Sequence, residues 1–211
     1  MITAVKQADN AREEVFDEQS LGARLRKVRH ELGLSLQEVA SRSHLSIGMI
    51  SQIERGHTSP TFRSLRLLSG ALDMPIESFF NQPGAVEPSG NDVIVRPNDR
   101  RTLVLESKGI VTEYIDPDTK GTMQMMLMTI EPGGGTGREN DQHVGEEGGL
   151  ILAGQFELWL DEERLILNEG DSFRFPASRR HRFRNPGSIP TRIVWFITPT
   201  LYGRAALERT L

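Results

Sequence analysis

The chain contains no cysteine, which removes disulfides, thiolate nucleophiles and Cys-ligated zinc or iron–sulfur centres from consideration. Long apolar runs are also missing, since none approaches the roughly 20 residues that a membrane-spanning helix requires. The stretch Met1–Ser20 is polar and acidic and offers no apolar core for a signal peptide. A cytoplasmic protein with no membrane partner is the expectation. Aromatic residues are few, at 6%, but a 37% hydrophobic content still supports packed cores rather than a disordered chain. The length of 211 residues allows one large domain or two small ones.

A surplus of positive charge is lacking as well: 25 Lys and Arg face 29 Asp and Glu, for a net charge of −4. That average hides an uneven distribution. Residues 1–20 and the part from Pro83 onward are both acidic, whereas Leu21–Gln82 carries eight basic and five acidic residues, a local charge of +3. A basic module between acidic flanks points to a division of labour within the chain.

Periodicity changes along the chain. Residues 1–20 read as a mobile acidic arm. From Leu21 the pattern is helical, with Leu21, Leu25, Val28 and Leu32 on one face and Gly33 as a stop. Ser35 and Glu38 have capping-box spacing, and Leu36, Val39 and Ala40 follow as an inward face. Ser46 caps a third helix that turns Ile47, Ile50 and Ile53 inward or nearly so and ends at Gly56. Ser59-Pro60 reads as a cap with proline at the first helical position of a fourth helix, through Phe62, Leu65, Leu68 and Leu72. Pro75 starts a short fifth turn with Ile76, Phe79 and Phe80, so residues 21–80 form a five-helix domain. Residues 81–92 are a polar linker bearing Pro and Gly. Residues 93–211 then read as about ten short strands, from Val93–Val95 to Arg192–Thr198, which indicates a sandwich or barrel. The fold class expected is α + β with two domains.

The helical part has helix-turn-helix geometry: a helix ending near Ser43, a tight His44-Leu45 turn and a second helix capped by Ser46. Such a motif places its second helix in the DNA major groove, where base edges carry a full donor and acceptor code. Ser46, Ile47, Gly48, Met49, Ser51 and Gln52 are then the candidate DNA-facing residues, with Met49 at the boundary. Gln52 is the best base reader, because its amide pairs bidentately with adenine. Ser46 at the helix N-terminus suits a phosphate, and Arg42, Arg55, His57 and Thr58 are further phosphate candidates. Two blander assignments stand beside these. Glu54 and Arg55 pair within the fold and close the helix, and Arg24, Arg26, Lys27 and Arg29 make a solvated face. The stretches Leu34–Ala40, Leu45-Ser46, Met49–Gly56 and Ser59-Pro60 together resemble the XRE, or lambda-repressor-like, family of regulators, and the resemblance covers Leu21 to about Phe80.

The second part contains only two histidines, His143 and His181. The series Gly135, Asp141, His143, Glu147 and Gly154 resembles the first sequence block of the cupin family, except that Asp141 stands where that block has its first histidine. Gly170, Pro176, Ser178, His181 and Asn185 resemble the second block, with Ser178 in place of its glycine. The resemblance implies a double-stranded β-helix barrel. Carried over residue by residue, it also implies a metal set of Asp141, His143, Glu147 and His181, which suits iron, manganese, nickel or zinc. The shorter Asp141 departs from that pattern. The competing reading is a metal-free pocket for an organic ligand, lined by Asp141, His143, Glu147, His181 and Phe183. Alternation in Arg179–Arg184 turns His181 and Phe183 inward and Arg180, Arg182 and Arg184 outward. Met123, Met125, Met126 and Met128 read as core packing or a dimer contact.

A regulator head joined to a cupin tail is a known architecture. The stretches Thr136-Gly-Arg138, His143–Glu147 and Thr198-Pro-Thr200 resemble its putrescine-utilisation repressor branch, which implies an amine or amino-acid-derived effector. Asp141, Glu146 and Glu147 at a pocket mouth suit a cation. The expectation is a homodimeric repressor that binds double-stranded operator DNA under control of a small molecule, rather than an enzyme. A metal-responsive regulator, or a cupin dioxygenase or isomerase with a DNA-binding head, is the alternative.

Overall fold

A computed structural model describes residues 18–74, 93–117 and 121–200. The linker expected at 81–92 and the fifth helical turn from Pro75 lie outside these residues, as does most of the expected N-terminal arm. Four helices come first: α1 (Glu18–Glu31), α2 (Leu36–Ser43), α3 (Ile47–Glu54) and α4 (Phe62–Leu72). None among the described residues is long and apolar enough to cross a membrane.

Local chemistry sets each helix end. Ser35 accepts from the Glu38 amide while the Glu38 carboxylate accepts from the Ser35 backbone, a complete capping box at the start of α2. Ser46 caps α3 by accepting from the Met49 amide. The α4 cap is Thr61 rather than Ser59. Its Oγ1 accepts from the Ser64 amide, leaving Pro60 one residue outside the helix. Leu21, Leu25 and Val28 are buried as the stripe requires, but Leu32 is 48% exposed. The reason is local: α1 stops at Glu31 and the chain turns left-handed at Gly33 (φ 66°), which takes Leu32 off the stripe. At Gly22, α1 runs so close to α3 that a Cβ there would stand 2.3 Å from the Ile53 carbonyl oxygen.

Nine strands follow: β1 (Arg101–Leu105), β2 (Ile110–Tyr114), β3 (Gln124–Ile130), β4 (Glu146–Ala153), β5 (Gln155–Leu160), β6 (Glu163–Asn168), β7 (Ser172–Pro176), β8 (His181–Arg184) and β9 (Thr191–Thr198). Val93–Val95 is not a strand; Val93 and Ile94 are exposed just ahead of a turn that Pro97 opens. Hydrogen bonding divides the strands into a six-stranded sheet, ordered β1-β2-β3-β9-β4-β7, and a three-stranded sheet, ordered β6-β5-β8. A fully closed barrel is therefore not formed among the described residues. Isolated bridges at Gly135–Arg184 and Asp141–His181 extend the pairing beyond the named strands.

Register aligns the inner face of the larger sheet into rows. One row runs Tyr114, Met126, Trp195, Gly149, Phe173, and the next runs Gln124, Ile197, Glu147, Phe175. Gly149 has a positional reason, since a Cβ would meet the Val194 carbonyl oxygen at 2.8 Å and the Phe173 ring at 2.9 Å. Its absence lets Phe173 and Trp195 meet edge to face at 5.1 Å. The smaller sheet contributes Phe156 and Phe183 to the same aromatic core. Met126 and Met128 point inward and are buried, while Met123 lies outside β3 and is exposed.

Candidate functional site

The expected site residues fall on two surfaces, one on α3 and one inside the β-rich part. In α3, Ile50 and Ile53 are buried at 2% exposure each, anchoring the helix on the core. Ser46, Ile47, Gly48 and Gln52 are exposed, Ser51 is half-buried, and Met49 packs partly against the core. A helix anchored by one stripe with its opposite face open has the disposition that groove insertion needs. Nothing lies within 4 Å of where a Gly48 Cβ would be, so packing does not require glycine there. Arg42, Arg55, His57 and Thr58 are exposed around the same end of the helical part.

Side-chain pairing refines this face. The Gln52 Oε1 lies 3.1 Å from His57 Nδ1, which holds the amide at a fixed orientation while its NH2 group points elsewhere. Arg55 donates to the Ser51 hydroxyl at 2.6 Å. Glu54 does not pair with Arg55. It takes Arg29 from α1 in a two-point contact, Nε to Oε1 at 2.7 Å and Nη2 to Oε2 at 2.8 Å. Arg29 also donates to the Leu34 carbonyl, and both partners are under 10% exposed. Arg29 thus leaves the solvated face assigned to it from sequence, because its side chain turns inward between α1 and α3. The charge and hydrogen bond of Glu54 hold its guanidinium pKa above the ordinary arginine value.

The second surface is a cavity between the two sheets. Met126, Phe183 and Trp195 supply apolar wall, and Glu139, Asp141, Glu147 and His181 supply polar groups. Glu147 enters from β4 of the larger sheet and His181 from β8 of the smaller one. His143 precedes β4 and donates from Nε2 to Glu147 Oε1 at 2.8 Å, and His181 Nε2 lies 3.7 Å from the same oxygen. Both imidazoles are oriented by the backbone, Nδ1 of His143 to the Val144 carbonyl and Nδ1 of His181 to the Arg179 carbonyl. Burial alone would push the His143 pKa down; the Glu147 carboxylate against its ring holds it above the ordinary value instead.

Asp141 is placed by main-chain bonding with His181 on both sides, N to O at 2.7 Å and O to N at 2.9 Å. Its carboxylate meets a residue that sequence reasoning did not single out. Arg66 of α4 donates from Nη2 to Asp141 Oδ1 at 2.7 Å and to the Gln142 carbonyl at 3.1 Å. Burial alone would raise the Asp141 pKa, but the Arg66 charge and hydrogen bond hold it below the ordinary carboxylate value. Thr61, Phe62 and Arg63 at the start of α4 line the same cavity. Glu146, expected at the mouth, points outward and lies 3.8 Å from Arg174, because alternation along β4 sends it to the other face from Glu147. Glu139, Tyr114 and Trp195 take its place in the lining. Ligand atoms of Asp141, His143 and His181 lie within 4.8 Å of one another. Among the described residues these three form the group whose spacing could hold a metal ion, and each imidazole has its Nδ1 tied back to a backbone carbonyl. The Asp141 carboxylate is at the same time engaged by the Arg66 guanidinium.

Outside the cavity, Arg182 stacks on Trp159 at 3.7 Å, Arg180 pairs with Glu162, and Arg184 and Arg164 both pair with Glu157. These arginines therefore cover the outer face of the smaller sheet.

A helix-turn-helix family model matches residues 25–79, and a cupin domain model matches residues 126–197. The HTH-type transcriptional regulator PuuR of Escherichia coli (strain K12) is 29% identical over 182 residues, spanning 86% of this chain and 96% of that protein. The HTH-type transcriptional regulator SutR of the same organism is 29% identical over 171 residues, spanning 79% of this chain and 88% of its own. The crystal structure of an HTH_3 family transcriptional regulator from Vibrio cholerae superposes with a TM-score of 0.61 at 19% identity, covering 88% of this chain and 98% of that one.

Proposed function

Because the chain joins an XRE-type helix-turn-helix domain to a cupin domain and is homologous to the regulators PuuR and SutR, we propose that it is a transcriptional repressor that binds double-stranded operator DNA through α3 and is controlled by a small molecule held in the cupin cavity. The observation that carries the DNA half is the open face of α3, with Ser46, Ile47, Gly48 and Gln52 exposed while Ile50 and Ile53 are buried beneath them. Gln52, oriented by His57, reads a base edge, and Arg42, Arg55 and Thr58 neutralise flanking phosphates. The protein acts in the cytoplasm, beside its DNA.

The cavity favours a compact organic cation with an apolar body, such as an amine or amino-acid derivative. Three carboxylates (Glu139, Asp141 and Glu147) face walls made by Tyr114, Phe183 and Trp195, and aromatic faces attract cations as well as alkyl groups. Two copies pair through the outer face of the larger sheet, where Leu150, Leu152 and Phe196 are exposed on the adjacent strands β4 and β9. Operators are then two-fold related half-sites.

The test has two arms. Duplexes selected from a random library by the purified protein should share a two-fold related motif, and Gln52→Ala should lose it. A thermal-shift screen against amines, amino acids, organic acids and divalent metals, repeated with chelator, addresses the cavity; a ligand at 100 times its dissociation constant stabilises by about 2.7 kcal/mol. A specific observation favours a second reading, a divalent metal as effector: both histidines have Nδ1 tied to a carbonyl and Nε2 turned to Glu147. Stabilisation that chelator abolishes would establish that second reading.

A further inference from the structure

A buried join between the two parts runs through Arg66. The α4 helix is buried on every side from Ser64 to Leu72, although one apolar stripe is all that a helix needs to pack on a single core. Leu65, Leu68 and Leu72 face the helical core. Arg66 leaves on another side, is 3% exposed, and reaches Asp141, which lines the cavity. Its Nη2 serves Asp141 and the Gln142 carbonyl, while its Nε and Nη1 have no hydrogen-bond partner among the described residues. A second contact runs alongside, from the Ser107 hydroxyl to the Ser59 hydroxyl at 2.6 Å.

We propose that Arg66 is a tethered competitor of the effector: its guanidinium occupies the cation subsite at Asp141, and a ligand cation that takes Asp141 displaces Arg66 and releases the DNA-binding head from the cupin domain. This rests on the reading of the cavity as a site for an organic cation. The chemistry of the contact carries the step. Asp141 Oδ1 already accepts from both Arg66 and the Gln142 amide, and two cations on one partly buried carboxylate repel each other strongly where water is scarce. Arg66 is moreover an imperfect occupant. Two of its donor nitrogens are buried without acceptors, a cost that vanishes when the side chain swings into water. The exchange of Arg66 for a fully bonded cation is thus near balance, as a switch requires.

Geometry links the exchange to the head. Thr61, Phe62 and Arg63 line the cavity that a ligand enters, and all three lie within five residues of Arg66 on α4. A ligand body filling the space beneath them pushes on the same helix whose ion pair its charge has broken. The α3 and α4 helices share one core with Leu25 and Val39, through Ile50 and Ile53 on α3 and Leu68 and Leu72 on α4.

Binding of n-butylammonium and n-butylguanidinium to the full chain, with 1-butanol as the uncharged control, is to be measured by calorimetry for wild type, Arg66→Gln and Asp141→Asn. Amide hydrogen exchange of α4 in the same proteins without ligand reports docking. If the latch is closed about nine-tenths of the time, Arg66→Gln should tighten cation binding about tenfold, whereas Asp141→Asn should abolish it. Both variants should speed exchange in α4, and the charge-swapped double variant Arg66→Asp/Asp141→Arg should restore slow exchange. Unchanged exchange in both single variants, with the probes still binding wild type, would overturn the latch while leaving the cation site intact. Faster exchange with no probe bound by wild type or by Arg66→Gln would instead overturn the cation-site reading, and the competition with it, leaving Arg66 as a fixed tie between domains.

Discussion

The buried pair of Arg29 and Glu54 makes a sharp prediction, because its two partners need not cost the same alone as together. Arg29→Met keeps most of the side-chain volume but strands the Glu54 carboxylate, 7% exposed, without the two N–H donors that satisfy it. Breaking a buried pair from one side costs about 3–5 kcal/mol, whereas replacing both partners with apolar groups of similar volume is close to neutral. Arg29→Met also deprives the Leu34 carbonyl of a donor, worth about 1 kcal/mol more. A small domain is stable by only about 5–15 kcal/mol, so the single variant loses a large share of that margin. For a unit near 60 residues each kcal/mol shifts melting by about 4–8 °C, which puts the expected drop at 12 °C or more. The double variant Arg29→Met/Glu54→Leu should recover most of it. Far-UV circular dichroism at 222 nm follows the helices, while fluorescence follows the β-rich part, because both tryptophans, Trp159 and Trp195, lie there. The helical signal should therefore melt early in Arg29→Met with the tryptophan transition little changed. A single variant melting within a degree or two of wild type would refute the reasoning and return Arg29 to the solvated face that sequence alone suggests.

Gln52→Ala should weaken operator binding by about 1–3 kcal/mol with melting unchanged, since Gln52 touches only the exposed His57; fluorescence anisotropy with labelled duplex measures it, and wild-type affinity in the variant would dismiss Gln52 as a reader. Gly22→Ala should destabilise the helical part by about 1–3 kcal/mol or more, because a Cβ 2.3 Å from the Ile53 carbonyl oxygen must drive α1 from α3; a melting point equal to wild type would show that this contact is looser. Glu157 carries a pH prediction. Burial pushes its carboxyl up, but Arg184 and Arg164 hold it below the ordinary value of 4.5. A carboxylate lowered in the folded state contributes stability that is present above its unfolded value and lost as pH falls through its folded one. The tryptophan-reported transition should thus weaken on acidification below about pH 4.5, and Glu157→Gln should flatten that limb; an equally steep acid limb in the variant would assign the effect to other groups.

Much of the fold was legible because the signals are short in sequence. The capping box of Ser35 and Glu38 and the Ser46 cap depend on neighbours three residues away, and both form as written. The inward turn of His181 and Phe183 follows from two-residue alternation, and it holds. Where sequence reading failed, a distant partner decided. Ser59 is an adequate cap on local grounds, but its hydroxyl is engaged by Ser107, 48 positions away, and the helix starts after Thr61 instead. Glu54 could have paired with its neighbour Arg55; it took Arg29 because α1 passes directly over it, through the space that Gly22 opens. Barrel closure likewise depends on hydrogen bonds between strands remote in sequence, and the two sheets keep separate ladders.

The site shows the same limit in its most consequential form. Asp141 is legible as a departure, an aspartate where the cupin block has histidine. Its reach is set by a backbone bridge to His181, and what it reaches is Arg66, which in sequence is one basic residue in the stripe Leu65–Leu68 with no pattern to mark it. The two features explain each other. A histidine at position 141 would set an imidazole, neutral or cationic, against a buried guanidinium, and without the aspartate Arg66 would be an unpaired buried charge, which costs several kcal/mol. The aspartate that stands where the cupin block has histidine is thus the residue that gives a cation of the helical part its buried partner.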